Sequence, residues 1–295
     1  MNKILIKVLG TAQDGGYPQP DCSCPNCIAA KKDRNLIRLP ASLGILDVKN
    51  KKSYIIDATP HFPAQLQSLN KTAQKYNFPD DHLEAVFLTH AHIGHYTGLI
   101  YFGKEAINYN NLTIFTSESM KKFLIKNQPW KSLIENNNIN LSLFKFGKNI
   151  EEITSSQIKA IKVPHRAEYT DTASFLIKGE SKTLFYLPDI DSWQNFKKKF
   201  NKVSSSSDLL LVDGTFFDKK ELTKYRGRNI QNVPHPTIKK TISEINKGKL
   251  KLNNSKLYFT HFNHTNKVLN PDYRKDSFFQ KENINILNDN IIFEI

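Results

Sequence analysis

Residues 89–95 read Thr-His-Ala-His-Ile-Gly-His, so His90, His92 and His95 fall within one short stretch. Imidazole is the commonest protein ligand for zinc and similar metals. The apolar run Ala85-Val86-Phe87-Leu88 precedes them and reads as a buried strand. Such a strand delivers three imidazoles at its carboxyl end, where open α/β sheets place their sites. All three cysteines lie in Cys22-Ser23-Cys24-Pro25-Asn26-Cys27. None is left to pair elsewhere, so a disulfide framework is excluded. The C-x-C-x-x-C spacing lets three thiolates converge on one ion. Structural zinc takes four ligands, so a histidine is expected to join them. This closed site would pin a loop around residues 14–30, rich in glycine and proline (Gly15, Gly16, Pro18, Pro20).

Ligand-type residues recur directly after other apolar runs. Asp57 follows Ile55-Ile56, His165 follows Ile161-Lys162-Val163-Pro164, Asp189 follows Leu184-Phe185-Tyr186-Leu187-Pro188, and His261 follows Leu257-Tyr258-Phe259-Thr260. Each alone has a plainer reading: Asp57 orients a loop, His165 is a satisfied core histidine, Asp189 caps a helix starting at Ser192. Four together suggest convergence on one rim. His61 and His82 carry no motif and read as surface or loop residues.

These residues need a scaffold of strands, expected near 3–9, 42–48, 53–57, 112–115, 141–145, 157–162, 173–178, 182–187, 208–212 and 256–260. One further strand ends at Thr89, and one or two edge strands lie in 283–295. Helices are expected near 62–76, just after His95, near 117–126 and near 237–247. Strands in runs with interspersed helices suggest two sheets with helices packed outside, an αββα layering. No repeat or linker interrupts the chain, which reads as one domain over 1–295.

The chain has 295 residues, 39% of them hydrophobic, which permits a sizeable core. No run approaches the roughly 18 apolar residues of a membrane span. The amino-terminal residues alternate like a strand and lack a long apolar segment, so a cytoplasmic protein is expected. The net charge of +14 would suit nucleic acid or an anionic metabolite. Its lysines are dispersed, as in Lys31-Lys32, Lys121-Lys122 and Lys197-Lys198-Lys199, which argues against a nucleic-acid surface. Oligomeric state is not encoded in any pattern here.

The order Asp57, His90-x-His92-x-x-His95, His165, Asp189, His261 resembles the metallo-β-lactamase superfamily across nearly the whole chain. Val8-Leu9-Gly10-Thr11-Ala12-Gln13-Asp14-Gly15-Gly16-Tyr17-Pro18-Gln19, with the cysteine cluster, resembles the PqqB family of pyrroloquinoline quinone biosynthesis. Phe259-Thr260-His261-Phe262-Asn263-His264-Thr265-Asn266 is similar to the same family and to PhnP-type phosphodiesterases. The resemblance implies a four-layer αββα fold of the α/β (α+β) class. It implies a first metal site at His90, His92 and His165, a second at His95 and His261, and Asp189 bridging them. His264 would join Cys22, Cys24 and Cys27 in a structural zinc site, and Asp57 would support the histidine loop. His235, in Val233-Pro234-His235-Pro236, resembles an element that precedes a helix in PqqB proteins; it would meet substrate at the mouth of the site or be structural.

One departure matters. The superfamily motif is His-x-His-x-Asp-His, and here its aspartate position is Gly94. Glycine offers no ligand atom, so the second site loses a carboxylate; Asp191 and Asp213 are the candidates to compensate. The expected activity is metal-dependent hydrolysis of an ester, amide or phosphodiester in a small molecule, anionic or neutral. Catalysis would rest on His90, His92, His95 and Asp189, with one or two ions of zinc, iron or manganese. Two other readings stay open: an iron-dependent oxygenase in cofactor biosynthesis, and a binding protein with a degenerate metal site.

Overall fold

The apolar runs pair into two seven-stranded sheets. The computed structural model describes residues 3–150, 156–221, 234–271, 273 and 283–295. The first sheet has strand order β14-β1-β2-β3-β4-β5-β6. Its members are β1 (Ile4–Gly10), β2 (Ser42–Asp47), β3 (Lys52–Ile56), β4 (Leu83–Phe87), β5 (Leu112–Thr116), β6 (Ile139–Leu143) and β14 (Ile292–Glu294). The second has order β13-β12-β11-β10-β9-β8-β7. It contains β7 (Asn149–Ile150), β8 (Gln157–Val163), β9 (Thr172–Lys178), β10 (Thr183–Leu187), β11 (Leu209–Asp213), β12 (Lys256–Thr260) and β13 (Ile284–Ile286).

Alternation along each strand divides its side chains between two apolar layers. Ile4, Ile6, Val8, Phe87 and Phe115 of the first sheet meet Phe175, Leu184, Tyr186 and Leu211 of the second. Phe175 lies at the centre of this seam, with ring centroids 5.6 Å from Phe87 and 5.8 Å from Phe144. The outer faces take the helices. Leu5, Ile55 and Val86 pack on α2 (Phe62–Gln74), α4 (Glu118–Lys126) and α5 (Trp130–Glu135). Phe185, Leu210 and Phe259 pack on α6 (Lys197–Ser204), α7 (Ile238–Asn246) and α1 (Pro25–Lys32). The result is the αββα layering expected from the order of elements. With both faces covered, the central strands read as continuous apolar runs.

Local chemistry accounts for several helix starts. Ser117 and Thr237 each accept a backbone N–H three residues on, satisfying a donor that the first turn leaves free. In α2, Phe62, Gln65, Leu69, Thr72 and Ala73 bury one stripe at helical spacing. Three helices were not legible. α1 and α5 are short, and α6 starts without a side-chain cap. No helix begins at Ser192, so Asp189 caps nothing. The helix expected just after His95 is a 3-10 helix over Thr97–Phe102, and a short helix before it, here α3 (Ile93–Tyr96), contains His95.

Direction fixes the site. β3, β4 and β5 run parallel, as do β10, β11 and β12. β8 and β10 both pair antiparallel with β9, so they share a direction. The carboxyl ends of β3, β4, β8, β10, β11 and β12 therefore reach one rim, carrying Asp57, the histidine loop, His165, Asp189, Asp213 and His261. Among the described residues, no helix is long and apolar enough to cross a membrane.

Phe175→Ala should lower the unfolding free energy by about 3–5 kcal/mol, the range for an emptied aromatic core site. Denaturant titration measures it; a loss below about 1 kcal/mol would mean that the seam between the sheets is loosely packed.

Candidate metal centre

Three groups of nitrogen and oxygen atoms gather on the rim. Nδ1 of His92 lies 2.9 Å from His90 Nε2 and 3.3 Å from His165 Nε2. Ligand nitrogens around a tetrahedral zinc ion stand roughly 3.3 Å apart. His95, His261 and Asp189 form the neighbouring group. Asp189 Oδ2 lies 3.1 Å from His95 Nε2 and 3.2 Å from His261 Nε2. The same carboxylate reaches the first group, with Oδ1 3.7 Å from His165 Nε2 and Oδ2 3.7 Å from His90 Nε2. Asp213 and His235 complete a third group with Asp189.

Four of these imidazoles, His90, His95, His165 and His261, are oriented by the other ring nitrogen. His95 Nδ1 donates to Asp57 Oδ2 at 2.7 Å. Asp57 also accepts from the Thr89 backbone and hydroxyl. His90 Nδ1 faces the Thr89 hydroxyl at 3.0 Å, and His165 Nδ1 faces Asp191 Oδ1 at 2.8 Å. His261 Nδ1 lies 2.9 Å from Thr215 Oγ1, whose hydroxyl donates to Asp213 Oδ1. These contacts turn the opposite nitrogens, as lone pairs, toward the centre. Such partners are what orient ligating histidines.

Strand ends achieve this with two unusual backbone positions. Asp57 and His261 have φ of 68° and 62°. Non-glycine residues in this left-handed region are uncommon and concentrate at functional sites.

Protonation fits a cation. Burial holds His90 well below the usual histidine range, drives His92 down to about 4, and lowers His261. All three are therefore neutral donors. His95 differs. Burial opposes its charge, yet Asp57, Asp14 and Asp189 together hold it well above the usual range. A proton at His95 thus neutralises crowded carboxylates, as a metal ion would. Buried atoms without a hydrogen-bond partner include His95 Nε2, His261 Nε2, Asp189 Oδ2, Asp14 Oδ1 and His235 Nε2. Buried polar groups without partners are costly, and a divalent ion satisfies such a set.

A fourth cluster sits apart. His264 Nδ1 lies 3.3 Å from Cys22 Sγ and 3.5 Å from the sulfurs of Cys24 and Cys27. Sulfur and nitrogen around one tetrahedral zinc stand roughly 3.5 Å apart. Burial pushes the Cys27 thiol up to about 12 and raises Cys24 too, so a cation must accompany their deprotonation.

Every residue assigned to a site from the sequence stands in one of these clusters or directly behind it. Two expectations need correction. Asp213 and Asp191 do not replace the carboxylate missing at Gly94. Asp213 Oδ2 pairs with His235 Nδ1 at 2.7 Å, and Asp191 faces His165. His82 stands in a loop directly before β4, but it is buried, its Nδ1 2.6 Å from the Ser53 hydroxyl, so the surface alternative falls. One residue escaped the sequence reading: Asp14, whose Oδ1 lies 3.4 Å from His95 Nε2. Asp14, His95 and His261 bring their ligand atoms together. Its only sequence signal was the empty motif position at Gly94, which asks for an acid from elsewhere.

A family model described as the beta-lactamase superfamily domain matches residues 52–262. The chain belongs to the beta-lactamase superfamily. Within it, the chain is similar to proteins named coenzyme PQQ synthesis protein B. That of Nitrosococcus oceani is 23% identical, over 91% of this chain and 93% of the relative. That of Acinetobacter baumannii (strain AYE) is 23% identical, over 98% and 99%. The Zn(2+)-bound PqqB of Methylobacterium extorquens superposes with a TM-score of 0.79 at 18% identity, covering 99% of this chain and all of that one. A diphosphatase of the PhnP family superposes with 0.69 at 19% identity, covering 99% and 97%. These likenesses show a shared metallo-β-lactamase fold.

Zinc uptake by the cysteine cluster should release protons. Its apparent affinity should climb with pH, about tenfold per unit for each thiol deprotonated. Zinc titration with an indicator dye checks this, and an affinity flat between about pH 6 and pH 8 would exclude thiolate ligation.

Proposed function

We propose that this chain is a metal-dependent hydrolase, PqqB-like in type, that cleaves an ester, amide or phosphodiester bond in a small anionic molecule. The supporting observation is the meeting of three imidazoles, His90, His92 and His165, beside a second group joined to them through Asp189. Three imidazoles are a donor set of hydrolytic zinc, whereas non-haem iron oxygenases use two imidazoles and a carboxylate. Divalent ions held there would make water a nucleophile at neutral pH and draw charge from the electrophile's oxygen.

The chain's own groups supply the rest. Asp189 links the two groups: its Oδ2 faces His90, His95 and His261, and its Oδ1 faces His165. His235 supplies a proton. Burial opposes its charge, but the Asp213 carboxylate at its Nδ1 keeps it above the usual range. Its Nε2 is buried, without a partner, and free to donate to a departing oxygen or nitrogen. Arg166, beside His165 and 3.7 Å from Glu168, offers a fixed cation to an anionic substrate. The Cys22, Cys24, Cys27 and His264 cage pins the front loop and takes no part in chemistry.

His92→Ala should abolish turnover of a phosphodiester and ester panel while leaving the far-ultraviolet circular dichroism unchanged. His235→Ala should cut kcat by about 10²–10⁴-fold for alkyl leaving groups, and far less for a nitrophenolate, which departs without a proton. Oxygen uptake without hydrolysis would replace this reading with an oxygenase. Equal losses for both leaving groups would remove His235 from the proton-donor role.

A further inference from the structure

We propose that Asp14, carried by the amino-terminal loop, completes the second metal position in place of the aspartate that the metal motif lacks at position 94. The inference rests on the two-ion reading above and adds a ligand to it.

Three observations point the same way. Asp14 Oδ1 lies 3.4 Å from His95 Nε2, and Asp14, His95 and His261 bring their ligand atoms into one group. Asp14 Oδ1, His95 Nε2, His261 Nε2 and Asp189 Oδ2 are all buried without a hydrogen-bond partner. His95 Nε2 lies 3.4 Å from Asp14 Oδ1 and 3.1 Å from Asp189 Oδ2, and His261 Nε2 lies 3.2 Å from Asp189 Oδ2, so two imidazoles and two carboxylates adjoin here. The third observation explains the glycine. A Cβ at Gly94 would stand 2.1 Å from Asp14 Oδ1 and 2.6 Å from Asp14 Cα. Gly94 lies inside α3 and is not among the positive-φ glycines. Its backbone therefore does not demand glycine; the space does. A side chain at position 94 and the carboxylate of Asp14 exclude each other.

The loop is held for this task. Gln13 N–H donates to the Phe262 carbonyl at 2.9 Å, and Phe262 N–H to the Thr11 carbonyl at 2.8 Å. Asp14 and His261 thus each neighbour one residue of the same short backbone ladder. The cysteine cage ties the two segments again through His264. The charge removed from the motif returns from about 80 residues away along the chain.

The test measures zinc bound by the full chain, by elemental analysis and chelator competition. Wild type should hold one zinc more than Asp14→Ala or Asp14→Asn, with affinity at the second position weakened about 100-fold. Asp14→Asn keeps the loop's shape and so separates lost charge from lost folding. Full zinc content in both single variants overturns the proposal. If His92→Ala loses one zinc and the Asp14 variants lose none, the assignment of Asp14 fails and the hydrolase reading stands. Zinc at the cage alone in the wild type sinks both.

Discussion

Everything at the rim depends on one buried carboxylate. Asp189 is 2% exposed and lies within ion-pair distance of His90, His95, His165, His235 and His261. Burial opposes its charge, but the surrounding imidazoles hold it well below the usual carboxylate range. An isolated ionised group in such a place would be prohibitively costly. The arrangement persists because acids and imidazoles neutralise one another as a network. It also leaves converging lone pairs that only a shared cation satisfies. The same balance that stabilises the cluster suits it to a metal ion.

The scaffold answers that requirement with strand direction. Parallel strands in both sheets point their carboxyl ends at one rim, so six separate segments can each contribute a group without long loops. The backbone adopts left-handed conformations at Asp57 and His261, where a side chain must turn sharply off a strand end. Behind the metal-facing nitrogens stand Asp57, Thr89, Asp191, Asp213 and Thr215, which set the tautomers. Rigid positions of this kind bring reacting groups to register before substrate arrives.

The superfamily likeness accounts for the layers and for the shared motif, but fold alone does not assign a reaction. What separates this chain chemically is the pairing of Gly94 with Asp14. On the proposal made for Asp14, the second position keeps its carboxylate count while drawing one member from the amino-terminal loop. A ligand on a loop is tied to that loop's own anchoring, here the cysteine cage and the ladder with Phe262. The cysteine cage and the rim cluster, distinct in chemistry, are thereby joined through a few residues of backbone.

Much was legible because the information was local. Three imidazoles after an apolar run, three thiols at C-x-C-x-x-C spacing, and four ligand-type residues each closing a strand are patterns within a few positions. They announced the metal chemistry, the strands that carry it and the layered architecture. The short or weakly capped helices α1, α5 and α6 were not legible, because their existence rests on packing against the sheets. Nor could the sequence say that Asp213 turns to His235, that Asp191 turns to His165, or that His82 is enclosed beside Ser53. Those choices are made by distance in space between segments far apart in the chain. Asp14 is the sharpest case: in sequence it is one acid in a glycine-rich loop. Only the folded chain sets it against a residue that has no side chain, where a carboxylate and a Cβ cannot both fit.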